Sequence, residues 1–111
     1  MIRFLYRKLF PAKWQQSPAY RQEQAQKYDS KILKYVTERF PEGDRVLCKD
    51  SYICVKAGFV YVNSETASIA KFDWSEVECG ELMSHDGVIF TGLDQIQERE
   101  RSIICYFKYY R

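Results

Sequence analysis

From Arg45 onward the sequence falls into short runs rich in β-branched and aromatic residues, separated by turn-forming clusters, and two of these runs, Ser68–Trp74 and Glu76–Met83, alternate apolar with polar. Alternation with a period of two is the mark of strands with one buried face. A chain with such strand-like runs over more than half its length is committed to a sheet. The segments read as Arg45–Lys49, Tyr52–Ala57, Phe59–Asn63, Ser68–Trp74, Glu76–Met83, Val88–Thr91 and Ser102–Tyr110. Gly58 either bulges one long strand or turns a tight hairpin. Ser84-His85-Asp86-Gly87 is the best turn signal, because Asp-Gly tolerates the positive φ angles of a hairpin. Gly92–Arg101 is polar, a long loop or one helical turn.

The first forty residues read differently. Residues 1–16 suggest a short helix ended by Pro11, then a connector. Ser17-Pro18 has the form of an N-cap followed by proline at the first helical position. Between Pro18 and Phe40 there is no glycine and no internal proline, and Ala25, Tyr28, Ile32, Tyr35, Val36 and Phe40 recur at spacings of three and four. That spacing predicts one long helix over 17–40, with Tyr28, Ile32, Tyr35 and Val36 facing the sheet. Pro41-Glu42-Gly43-Asp44 closes it. The expected fold is α+β, a single domain over 1–111, in which the helix packs on about five to seven antiparallel strands spanning 45–110.

Composition agrees with a folded domain: 46% apolar and 29% charged in 111 residues, with a net charge of +2. This excludes a disordered tail, and no window reaches the ~18–20 apolar residues of a membrane-spanning helix. The small net charge gives no sign of a nucleic-acid binder. The basic start is interrupted by Arg7 and Lys8 and lacks a signal-peptide core. The expectation is therefore a cytoplasmic chain whose Cys48, Cys54, Cys79 and Cys105 stay reduced and buried.

No constellation for catalysis stands out. The cysteines form no C-x-x-C pair, and His85 is the only histidine, so neither a metal set nor a cofactor is expected. Ser84-His85-Asp86 holds triad residue types, but adjacent residues in a turn point apart. A dyad of His85 with a cysteine would need an electropositive setting, whereas Cys79 has Glu78 and Glu81 close in sequence. No phosphate loop, dinucleotide motif or calcium loop is present. An enzyme is thus the third reading, and no catalytic residue is assigned.

Charge and aromatics point to a surface instead. Residues 1–40 carry nine Lys/Arg against three Asp/Glu, whereas 73–100 carry eight carboxylates against Arg99 alone. Asp73, Glu76, Glu78, Glu81 and Asp86 are the candidate contacts for a basic protein partner, which an acidic face would attract and steer. Tyr106 and Tyr110 join them, because the closing strand has bulky residues on both faces. The leading expectation is a non-enzymatic binding protein, in its most concrete form an immunity- or inhibitor-type protein that covers the basic site of a nuclease toxin. The alternative is a peripheral membrane or lipid-sensing module using the basic-aromatic start, Arg3 to Trp14.

The stretches Val46-Leu47-Cys48, Ser51-Tyr52-Ile53 and Phe72-Asp73-Trp74-Ser75-Glu76-Val77 resemble bacterial pleckstrin-homology-like domains. The resemblance covers under a third of the chain and implies an open barrel as the alternative fold. Those domains end in a plugging helix, whereas here the helix comes first, and no binding residue is carried over. Helix before meander is also the order in small cystatin-like proteins and some bacterial immunity proteins, an analogy of fold that licenses no function.

Overall fold

The computed structural model describes residues 17–109. The expected short helix and connector over 1–16, and Tyr110, lie outside them. Helix α1 spans Pro18–Gln26. Seven strands follow: β1 Ile32–Phe40, β2 Gly43–Lys56, β3 Phe59–Asn63, β4 Ser68–Asp73, β5 Glu78–Glu81, β6 Gly87–Asp94 and β7 Arg99–Phe107. All pair antiparallel in one sheet of order β4-β3-β2-β1-β7-β6-β5.

The long helix is the main correction. It starts as expected: Ser17 Oγ accepts from the Tyr20 N–H at 3.2 Å, and proline occupies the first turn. It ends at Gln26, and Ser30 then adopts a left-handed φ of +69°. Residues 32–40 form a central strand bonded to β2 on one side and β7 on the other. Two irregularities shift its register, between Leu33 and Tyr35 against β7 and between Val36 and Thr37 against β2. The extra residue in β1 at the first of these breaks its alternation, and Leu33, Val36, Thr37 and Glu38 are buried. Of the residues on β1 spaced like a helical stripe, Ile32, Tyr35, Val36 and Phe40, Val36 alone is buried. Tyr28 and Val36 do enter the core, but Ile32 is 47% exposed and Tyr35 only half-buried.

Elsewhere β2 and β6 are longer than the sequence suggested, β5 is shorter, and β7 starts and ends three residues earlier. β2 runs unbroken through Lys49-Asp50-Ser51, with Asp50 at φ +49° taking the irregularity. Ala57 and Gly58, at φ +52° and +86°, make a hairpin turn with both central residues left-handed. In the β5–β6 turn the left-handed residue is His85, at φ +62°. Gly87 is needed for another reason: a Cβ there would run into the Cys105 carbonyl oxygen and the Leu82 side chain. The polar stretch after Gly92 continues β6 to Asp94, turns over 95–98 and enters β7.

The sheet curls on itself. Phe72 of β4 pairs with Asp94 of β6, and the Gln95 N–H donates to the Lys71 carbonyl at 2.7 Å. β4 and β5 thus share one edge of β6, and the enclosed core holds Leu33, Val36, Ile53, Val60, Val62, Phe72, Phe90 and Ile103. Ala25 and Tyr28 join this core from the helical end.

A buried ion network sits at the closure. Arg101 Nε and Nη2 donate to Glu38 Oε1 at 3.1 and 2.7 Å, and Nη1 donates to Asp94 Oδ2 and the Ile69 carbonyl, both at 2.9 Å. Arg99 reaches Glu38 Oε2 at 2.9 Å. Asp94 also accepts from the N–H groups of Lys71, Ile96 and Gln97. Burial by itself raises the Glu38 carboxyl, but the bonds from Arg101 and Arg99 hold it below its usual range. The same balance, won by the backbone N–H groups and Arg101, lowers Asp94. Side chains from the neighbouring strands β1, β7 and β6 thus form one cluster, and Arg101 and Asp94 tie it to the end strand β4 through the Ile69 carbonyl and the Lys71 N–H.

Candidate functional site

The acidic residues lie on β5 and its flanking turns, but most already hold local partners. Asp73 ends β4, and its Oδ1 accepts from the Ser75 N–H at 2.9 Å and the Ser75 hydroxyl at 2.7 Å. Glu76 is exposed, and its carbonyl oxygen accepts from Arg21 Nη1. Glu78 faces Arg21 Nη2 at 3.7 Å. Glu81 pairs with His85 Nδ1 at 2.5 Å, and Asp86 accepts from the Ser84 hydroxyl. Glu78 and Glu81, three apart on a strand, point to opposite faces. Glu76, Glu78 and Glu81 nevertheless keep exposed side chains along one edge of the sheet.

Tyr106 stands on β7, two strands from β5, with its ring stacked on Tyr35 at 4.5 Å and 24°. It is half-buried, and burial together with the neighbouring Tyr35 phenol raises its own phenol above the ordinary range. β7 is central and covered on its outer side by this stack, with Ile104 fully buried beside it.

The concave feature is a groove that sequence reasoning did not find. It measures about 760 Å³ and lies between α1 and the β5–β6 turn. Tyr20, Gln24 and Lys27 come from the helical side, Glu81 and His85 from the opposite wall, and Tyr28, Phe107 and Cys79 from below. Tyr28 and Phe107 stack at 6.2 Å, and Tyr28 meets Phe90 edge-on at 6.0 Å, so the floor continues into the core. Burial raises the Tyr28 phenol, and Cys79 and Glu81 add to the rise. Lys31 lies over Phe107, its Nζ 5.5 Å from the ring centre. The sequence signal that bore on this groove was the pair of lysines four apart beside Tyr28. On a continuous helix it would have read as a solvated face.

The groove brings His85 and Cys79 to one place, as a dyad would require. Burial pushes the Cys79 thiol up to about 12, against a smaller lowering by Arg21, so it is held protonated near neutral pH. His85 turns to Glu81, and Ser84 to Asp86, which leaves Ser84-His85-Asp86 without a relay. Among the described residues no group of three or more His, Cys, Asp or Glu side chains is arranged to hold a metal ion. Of the four free cysteines, Cys105 alone is fully buried, and Cys48, Cys54 and Cys79 are half-buried, which corrects the expectation of four buried thiols.

Among the described residues, fold and groove together define a sheet-rich antiparallel β domain with one short helix flanking a solvent-open groove. No protein-family model, curated protein or solved structure matches the chain. Among the described residues no helix is long and apolar enough to cross a membrane.

Proposed function

We propose that the chain is a non-enzymatic protein-binding domain that meets a basic partner along the β5 edge. The observation behind this reading is the run of exposed carboxylates at Glu76, Glu78 and Glu81 on one short edge strand and its entry turn. Arg21 faces Glu78 and His85 meets Glu81. Exposed charges of one sign accelerate encounter with a partner of the other and penalise wrong partners. An inhibitor- or immunity-type role, with the acidic edge laid over the basic site of a nuclease in the cytoplasm, is its most concrete form. The raised Cys79 thiol supports a binding protein over a cysteine enzyme.

The test is capture from a lysate of the source organism on the immobilised chain, beside the double reversal Glu76→Lys/Glu78→Lys. A basic protein retained by the parent, released as salt rises and lost from the reversal is the expected result. Exposed charges are screened over ~8 Å at physiological ionic strength, so retention should fall within that range. An identical set of proteins on parent and reversal overturns the reading.

A further inference from the structure

The groove carries chemistry that an acidic protein-binding edge leaves unused. Its volume, about 760 Å³, falls in the ~300–1,000 Å³ range of small-molecule sites. The floor is aromatic, with Tyr28 and Phe107 anchored in the core and therefore rigid. Its charge is unbalanced. Lys27 Nζ donates to Gln24 Oε1 at 3.3 Å, Lys31 lies over a ring, and neither has an ion-pair partner among the described residues. The carboxylate on the facing wall, Glu81, is already engaged by His85. Two ammonium groups therefore look onto a concave aromatic surface with no counter-charge of their own.

His85 adds a second, independent observation. It sits at the tip of the β5–β6 turn with φ +62°, where a residue with a Cβ is strained and glycine would be relaxed. The strained backbone places an imidazole on the rim, and Glu81 fixes it through Nδ1. The other ring nitrogen is then left for a hydrogen bond to whatever fills the groove.

We propose that this groove is a binding site for a planar aromatic molecule bearing an anionic group. The aromatic body packs against the small exposed parts of the Tyr28 and Phe107 rings, the anion is held by Lys27 and Lys31, and His85 bonds a polar edge of the ligand. The site stands whether or not the β5 edge binds a protein, because it rests on different residues.

The experiment uses two dyes of matched shape, 8-anilinonaphthalene-1-sulfonate and its neutral counterpart N-phenyl-1-naphthylamine, titrated by fluorescence into the full chain. The expected result is saturable one-to-one binding, with the sulfonate held about tenfold more tightly, the scale of a charge-assisted contact. The double variant Lys27→Gln/Lys31→Gln should bring the sulfonate down to the affinity of the neutral dye and leave the neutral dye unchanged. Both lysines are exposed, so the variant tests charge without opening the core. The sulfonate should also raise Tm, as a ligand of the native state must, whereas a dye that adheres to loosened protein lowers it. Equal affinities for the two dyes, an unmoved sulfonate affinity in the double variant, or a lowered Tm each overturn the proposal. Glu76→Lys/Glu78→Lys, which tests the protein-binding edge, should change sulfonate affinity less than twofold, so the two readings fail separately.

Discussion

Replacing Arg101 by Met probes the device that closes the sheet. Arg101 is 4% exposed, and Glu38 and Asp94 are 2% and 0% exposed, so the substitution strands two carboxylates away from water. Removing one partner of a buried pair costs ~3–5 kcal/mol. The two carboxylates do not share that cost evenly. Asp94 keeps three backbone N–H donors and stays satisfied. Glu38 keeps only Arg99, which approaches from a side chain 44% exposed. The lower end, about 3 kcal/mol, is therefore expected, a fall of roughly 3 M in urea midpoint if the slope is ~1 kcal/mol/M. The pH dependence identifies the cause. In the parent, Glu38 and Asp94 both titrate below their usual range. Their stabilisation is complete above the unfolded value near ~4 and is lost as pH falls through the folded values. In Arg101→Met the Glu38 carboxyl should instead rise, so acidification from pH 7 to pH 5 protonates it and narrows the gap to the parent. Urea melts at both pH values, followed by tryptophan fluorescence, measure this. A deficit under 1 kcal/mol at pH 7, or one that does not shrink at pH 5, refutes the reasoning. Pairing Arg101→Met with Glu38→Leu should recover most of the loss, since an apolar replacement of a buried pair is often close to neutral.

Leu33→Ala should cost ~2–5 kcal/mol by cavity formation, while Ile32→Ala, one residue away on the exposed face of β1, should cost under ~1 kcal/mol; similar midpoints would contradict the strand assignment. Gly87→Ala forces a methyl group against the Cys105 carbonyl and Leu82 and should destabilise by ~1–3 kcal/mol, read by the same urea melts. Iodoacetamide at pH 8 should label Cys48 and Cys54 before Cys79, whose thiol burial raises to about 12, and Cys105, raised further by complete burial, should react last by peptide mass mapping.

Much of the fold is legible without coordinates because strand burial is a local, period-two property. Ala70 and Phe72 face the core as their alternation requires, Ser17-Pro18 opens a helix, and Ser84–Gly87 is a turn between paired strands. The error over 27–40 has a physical cause. An extra residue in β1 between Leu33 and Tyr35 breaks the period of two there, and a window of local spacing cannot tell such a break from a short helical stripe. Only pairing with β2 and β7 on both sides makes this segment a strand, because its backbone groups find partners there that no helix needs to supply.

The functional surfaces divide along the same line. The concentration of carboxylates between Asp73 and Asp86 is a sequence fact, as is the absence of metal-ligand spacing or a nucleotide-binding motif. Their pairing with Arg21, Ser75, Ser84 and His85 is not, since charges reveal their neighbours only once strands and helix are placed. Sequence alone determined a multi-stranded sheet with an acidic stretch, because composition and alternation are carried residue by residue. The closing contact of Arg101 with Glu38, 63 residues away along the chain, and the groove formed by α1, β5 and the end of β7 were decided by tertiary structure. Each joins groups that no local pattern relates: pairing of β1 with β7 sets Glu38 beside Arg101, and the packing of α1 beside β5 forms the groove.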